Sequence, residues 1–332
     1  MQQPQLDLRV LQYFVAVAEE LHFGRAAARL HIAQPSLSVQ IRKLEHSLGT
    51  PLLIRTSRSV SLTSAGDVLL GEAKRLISAA ERAVSLTREA ASGVRGTLIV
   101  GFQANAAAEL TPRILAAFKN NHPEIHVQMR SFDFADPTAG LADGSADVAF
   151  VRPPLPAADW LAMETLFIEP RVLVVASSSR FAGLSEVSVE QVVDEPFVAR
   201  KAPDKWRDFW LATQARGGQP VRLGTQVATV DECFEAIMGE RGIAFTQAST
   251  QRFYDRPGLS FIPVRDVPPS PLSIAWRTDV NDELAREFVE TARTLASFGG
   301  VPNLADSRRG ASPQFPDGRG NATSMAGRGT LC

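Results

Sequence analysis

RAAARLHIAQPSLSVQIRKLEHSLGTPLLIRTSR, residues 25–58, is the stretch on which the reading of this chain turns. A small-residue helix over residues 23–30 meets a three-residue turn, His31-Ile32-Ala33, and a second helix opens at Gln34-Pro35. Proline is tolerated at a first helical position, because that N–H has no intrahelical partner. Leu37, Ile41, Leu44 and Leu48 recur at spacings of 4, 3 and 4, which makes one buried stripe. Ser36, Ser38, Gln40, Arg42 and Lys43 fall on the other face. These are hydrogen-bonding and cationic side chains, the types that reach base edges and phosphates. Two helices across a tight turn, the second with a polar leading end, follow the helix-turn-helix plan. Gly49-Thr50-Pro51 then breaks the helix. Residues 52–54 and 60–62 flank the basic run Arg55-Thr56-Ser57-Arg58-Ser59 and read as two short strands, a wing.

Charge is polarised along the chain. Residues 25–58 hold six Lys/Arg and one acid, Glu45. Residues 1–92 carry a net +3 and the remainder a net −4, so the total is −1. Affinity for nucleic acid requires a basic patch and not a basic protein. A solvated helix pair would explain the charges alone. It would not explain turn, stripe, polar face and basic hairpin together.

The run from Leu8 to Gly66 resembles the winged helix-turn-helix of LysR-type transcriptional regulators. The residues that carry the resemblance are Phe14, Val17-Ala18-Glu19, Ala26-Ala27, Gln34-Pro35-Ser36-Leu37-Ser38, Gln40-Ile41, Leu44-Glu45, Leu48-Gly49, Leu53, Arg55 and Leu62-Thr63-Ser64-Ala65-Gly66. One departure stands out. Val39 occupies a recognition-helix position where many members carry a basic residue, and it offers apolar contact to a thymine methyl instead. On this reading Gln34, Ser36, Ser38 and Gln40 are assigned to bases or adjacent phosphates, and Pro35 sets the helix entry. Arg42, Arg55 and Arg58 are assigned to phosphates, with the wing arginines able to enter the minor groove.

Residues 66–92 continue as one long helix. Leu69, Ala73, Leu76, Ala80, Ala83 and Thr87 keep a 4-3-4-3-4 spacing, and Leu70, Ile77 and Val84 widen the stripe. Such a stripe needs a partner. The resemblance implies a dimerising linker, so that two heads reach half-sites roughly 34 Å apart. Past Ser92-Gly93-Val94-Arg95-Gly96 the pattern alternates between strand and helix with continuous apolar strands, which predicts parallel, helix-covered sheets. Short helices are expected at 137–144 and 189–193, and a longer one at 206–216. The chain leaves the first sheet near 167 and returns near 267, so a cleft separates two sheets. Gly101-Phe102, Asp143-Gly144, residues 147–154, residues 194–198 and Gly242-Ile243 resemble the LysR-type effector domain over 93–298, which is similar to type II periplasmic binding proteins. Arg152-Pro153-Pro154 and residues 248–251 resemble the branch that senses aromatic-catabolism intermediates.

The expected fold class is therefore α/β. An all-α winged helix-turn-helix spans 1–65, the linker helix 66–92 and a two-subdomain effector domain 93–300. Subdomain I takes 93–166 and 268–300, and subdomain II takes 167–267. Residues 301–332, rich in Gly, Pro, Ser and Arg, read as a disordered tail. By family position the cleft lining includes Gln103, Asn105, Asp133 and Arg152 on one side, and Arg200, Trp206, Val230 and Thr246 on the other. Relatives often have a hydroxyl at the position of Asp133. An aspartate there opposes a carboxylate, which turns the expectation from a dicarboxylate to a ligand with an aromatic or cationic part.

Other classes recede. The chain contains no Gly-x-Ser-x-Gly, Walker loop or His-Glu-x-x-His, so an enzyme is not expected, nor a cofactor. His122 and His126 are separated by Pro123, which keeps them off one helical face and argues against a metal pair. No apolar run reaches the length of a membrane span, and the N-terminus lacks a secretory pattern, which opposes a solute-binding transport protein. Cys233 sits in an apolar pattern, and two cysteines in all fit a cytoplasmic setting. The implied partners are double-stranded DNA with dyad-symmetric sites, a small-molecule effector, a second copy as homodimer or homotetramer, and RNA polymerase.

Overall fold

The computed structural model describes residues 6–56, 59–92 and 96–298. Arg58, the hinge at Gly93–Arg95 and the tail expected at 301–332 lie outside the described residues. Helix α1 (Leu8–Glu20) starts where the Asp7 carboxylate accepts from the Arg9 N–H at 2.8 Å, a capping bond. It packs Leu11, Phe14 and Val17 against α2 (Phe23–Arg29) and α3 (Gln34–Leu48). Leu37, Ile41 and Leu44 are buried as their spacing requires, and Ala26 is fully buried in the same core. Strands β1 (Leu53–Arg55) and β2 (Val60–Leu62) pair antiparallel with Leu53 opposite Leu62.

Helix α4 (Ser64–Ser92) begins two residues earlier than the spacing suggests, because the Thr63 hydroxyl accepts from the Gly66 N–H at 3.0 Å. Gly66 is required: a Cβ there would lie 2.1 Å from the Leu52 carbonyl oxygen, so the helix passes directly over the wing. The apolar stripe of α4 divides in two. Ala73 is buried, and Leu69, Leu70 and Ile77 pack on the core around α1. Leu76 and Val84 remain 43% and 50% exposed.

Beyond the linker come β3 (Gly96–Phe102), α5 (Leu110–Asn121), β4 (Ile125–Ser131), β5 (Val148–Val151) and β6 (Leu161–Glu169). Next are β7 (Arg171–Ala176), β8 (Phe197–Arg200), α6 (Asp204–Trp210), β9 (Leu223–Val227), α7 (Val230–Met238) and β10 (Ala244–Gln247). The described chain closes with α8 (Thr250–Phe253), β11 (Leu259–Pro263), β12 (Ser270–Arg277) and α9 (Glu283–Phe298). One sheet has the order β4-β3-β5-β12-β6 and is covered by α5 and α9, which supply Ile114, Phe118, Phe288 and Val289 to its core. The second region holds β10-β7-β11 and the pair β8-β9. Chain crossings between the two run from β6 to β7 and from β11 to β12.

These sheets are mixed, which corrects the expectation of parallel ones. β3 is parallel to β4 and β5, but β12 runs antiparallel to β5 and β6, and β7 is antiparallel to both its neighbours. The pairs that β12 makes with β5 and β6 join segments on either side of the two crossings. The nine-residue β6 escapes sequence reading: it lies at a sheet edge with Met163 and Ile168 exposed, so its alternation is blurred. Residues 137–144 form successive turns and not a helix, with Ala139 and Gly140 at φ 49° and 91°. The helix expected at 206–216 splits, because Ala212 takes a left-handed conformation between α6 and a 3₁₀ turn, Thr213–Arg216.

Candidate functional site

The leading end of α3 faces outward. Gln34, Pro35, Ser36, Val39, Arg42 and Lys43 are exposed, and Ser38 and Gln40 half-buried. Pro35 sits in the first turn, as its missing N–H allows. Among the described residues, the side chains of Gln34, Ser36, Ser38, Gln40, Arg42 and Lys43 have no intramolecular hydrogen bond or ion pair, so their donors remain for an outside partner. The other described cations of this region are engaged. Arg25 reaches Glu20 at 3.2 Å, Arg29 reaches Glu19 at 2.8 Å, and Arg55 reaches Glu45 at 2.6 Å. Arg55 also lies 4.9 Å over the Phe23 ring. Its guanidinium, exposed at the surface, is thus paired within the head, whereas Arg42 and Lys43 stand unpaired among the described residues.

The second candidate site is a cavity of about 30 Å³ between the sheets, room for one or two waters. Strand ends and helix starts build it. Gln103 follows β3, Arg152 follows β5, Arg200 ends β8, Trp206 lies on α6, Val230 opens α7 and Thr246 lies near the end of β10. All six were expected from the sequence. The other two expected residues stand apart. Asn105 lies behind the wall, donating to the Ser249 hydroxyl at 2.9 Å and accepting from Gln247 Nε2 at 3.0 Å. Asp133 is exposed, and its carboxylate accepts from the Ala135 N–H at 2.9 Å in a local turn. It does not line the cavity, so the repulsion argued from it does not act there.

Two buried arginines dominate the electrostatics and are treated differently. Arg152 donates to Glu169 at 2.6 Å and to the Ser270 hydroxyl at 3.2 Å. Glu169 ends β6 and Ser270 begins β12, so Arg152 ties both crossing strands together. Glu169 also accepts from the Ser249 N–H at 2.6 Å and hydroxyl at 3.0 Å. Burial pulls the Arg152 guanidinium below its usual range while Glu169 holds it up. Among the described residues Arg200 has no such partner. It donates to the Phe245 carbonyl at 3.1 Å and lies 4.3 Å over Trp210 and 5.2 Å over Phe134. Its Nε has no hydrogen-bond partner among the described residues. Burial draws its pKa down to about 10. The nearby Cys233 thiol is pushed up to about 11 by burial, so it stays protonated and supplies no counter-charge at neutral pH. A buried cation without an anion is costly, and a planar guanidinium in that state suits a carboxylate.

Residues 8–67 match the family model of the bacterial regulatory helix-turn-helix protein, lysR family, and residues 91–297 match the LysR substrate binding domain. The chain belongs to the LysR family of transcriptional regulators. It is similar to the HTH-type transcriptional regulator AlsR of Bacillus subtilis, at 31% identity over 310 residues, 89% of this chain and all of that protein. It is also similar to the HTH-type transcriptional regulator BenM of Acinetobacter baylyi, at 30% identity over 89% of this chain and 98% of that one. The crystal structure of CbnR, a LysR family transcriptional regulator, shares the fold at 24% identity, covering 88% of this chain and 99% of that one with a TM-score of 0.55. As a LysR-type regulator the chain is a DNA-binding protein with an effector domain, and not an enzyme.

Several residues of the regulator's cleft escape sequence reading. Phe134, Trp210 and Gln247 line it. Trp210 is one helical turn from Trp206, a spacing that could have revealed it. Glu169, Ser249 and Ser270 carry no local signal, since their partners lie 17 to 118 positions away. In the head, the His22 ring caps α2, accepting from the Gly24 and Arg25 N–H groups at 3.1 and 3.2 Å. No pattern of apolar residues marks it.

Proposed function

We propose that this LysR-type regulator is switched by a small organic anion bound between its two sheets. The observation that carries the reading is Arg200, buried beside aromatic rings and paired with no carboxylate among the described residues. Gln103, Thr246 and Gln247 supply polar neighbours, and Trp206, Trp210 and Phe134 supply a flat apolar surface. An aromatic carboxylate satisfies both. This reading keeps the aromatic part of the sequence expectation and puts an anion in place of the cationic part. A cavity of about 30 Å³ admits such a ligand only if the sheets separate, so binding shifts the population toward an opened form. The leading end of α3, with Gln34, Ser36, Ser38, Gln40 and Arg42, reads double-stranded DNA at dyad-symmetric sites. Leu76 and Val84 on α4 join two copies, and pairs of dimers give the tetramer. The regulator works in the cytoplasm, where its heads bring the effector domains to RNA polymerase. Among the described residues no helix is long and apolar enough to cross a membrane, which fits this setting.

Calorimetric titration with aromatic monocarboxylates, muconate-like diacids and aromatic amines tests the reading. The acids should bind, the amines should not, and Arg200→Met should abolish the component of the signal that belongs to the cleft. Amine binding that Arg200→Met leaves intact would overturn it.

A further inference from the structure

A second cavity, of about 620 Å³, lies apart from the cleft. Its walls come from α6, the 3₁₀ turn after it, and proline-rich segments beside the chain crossings. Pro153, Pro154, Pro268 and Pro271 contribute ring surface and no backbone N–H. Phe209 adds an aromatic wall. The volume falls in the range of ordinary small-molecule sites.

The group that makes this more than an apolar groove is Arg171. It lines the cavity yet is 2% exposed. Its Nε donates to the Pro268 carbonyl at 2.7 Å and its Nη1 to the Phe209 carbonyl at 2.5 Å, while the guanidinium lies 4.3 Å over the Phe209 ring. Neither partner is charged. Among the described residues no carboxylate pairs with it, and its Nη2 has no hydrogen-bond partner. Burial and the charge of Arg200 together draw its pKa down to about 10, so it is still cationic at neutral pH. Two other charges line the cavity. Lys205 adds a second cation, and Asp208 lies 3.7 Å from Arg207, which offsets it. The site therefore presents a net positive charge, Arg171 and Lys205 against Asp208, beside flat apolar walls.

We propose that this groove is a second ligand site, for a flat aromatic monocarboxylate whose head pairs with Arg171 and whose ring lies against the prolines and Phe209. The carboxylate takes the free Nη2 donors and supplies the missing counter-charge. Because Arg171 opens β7, just past the crossing from β6, and bonds the Pro268 carbonyl, the ligand touches both chain crossings. Occupancy here is thereby coupled to the opening of the cleft, and the coupling is reciprocal.

The test is fluorescence and calorimetric titration of the full chain with 2-naphthoate and its neutral analogue 2-naphthamide. Naphthoate should bind saturably, and naphthamide about tenfold more weakly or worse. Gln214→Trp, at an exposed residue of the cavity wall, should lower naphthoate affinity by about tenfold or more without unfolding the chain. Arg171→Met should do the same if it folds. Arg200→Met, which removes the cleft component, should leave the component lost in Gln214→Trp in place. Equal affinity for the amide, unchanged affinity in Gln214→Trp, loss of that component in Arg200→Met, or no saturable binding of naphthoate below about millimolar would each overturn the proposal.

Discussion

Arg55 donates to Glu45 across ten residues, and the other oxygen of that carboxylate accepts from the backbone N–H groups of Leu52 and Leu53 at 3.0 and 3.1 Å. One acid on α3 thereby holds the root of the wing. Arg55→Ala should cost about 1 kcal/mol of head stability, the worth of an ordinary hydrogen bond or somewhat more. It should barely change the salt dependence of DNA binding. Arg42→Ala should instead reduce the slope of log affinity against log salt by about one, since that cation is unpaired. Binding isotherms at several salt concentrations separate the two. A drop of one for Arg55→Ala would restore it as a phosphate contact.

Val39 is 40% exposed on α3, the helix proposed to read DNA. Val39→Arg should raise affinity for all sequences and steepen the salt slope by about one, because a cation adds a phosphate contact. Discrimination between operator and random duplex should shrink. Competition binding reads both.

The two-part stripe of α4 separates assembly from folding. Leu76→Glu with Val84→Glu should halve the particle mass in light scattering while thermal melting stays near that of the parent. Ile77→Glu should lower the melting temperature, because Ile77 packs on the head core. An unchanged mass for the first variant would place the dimer contact elsewhere.

The buried pair Arg152–Glu169 should respond to the loss of one partner far more than any surface pair. Glu169→Ala strands Arg152 and frees the Ser249 donors, at a cost of about 3–5 kcal/mol in urea unfolding. Replacing both partners with apolar residues should recover much of the loss. A small effect of the single substitution would mean that water reaches the crossing.

Glu109 and Arg252 form a two-point pair at 2.5 and 3.1 Å between residues that precede α5 and lie on α8. The hydrogen bond from Arg252, more than its charge alone, holds the Glu109 carboxyl below the usual range. A lowered carboxyl contributes stability above its unfolded value and loses it as pH falls through the lowered folded value. Glu109→Gln should therefore cost less than about 1 kcal/mol at pH 7, in keeping with a partly exposed pair, and nothing in strong acid. Urea midpoints across pH check the sign.

Local order was legible in the chain as written. The spacing of Leu37, Ile41 and Leu44, the Gln34-Pro35 start, and the apolar strands at 98–102 and 172–176 each depend on neighbours within a turn or a pleat. Six residues that line the cleft came from the family resemblance, which carries the places of strand ends and helix starts. Long-range pairing was not legible. That Arg55 pairs with Glu45, whether Asp133 faces the cleft or its own turn, and which buried arginine has an acid were decided only when distant segments packed. So were the antiparallel β12 and the edge strand β6. A charge's energy depends on what lies within a few ångströms of it, and that neighbourhood is assembled from residues far apart in sequence.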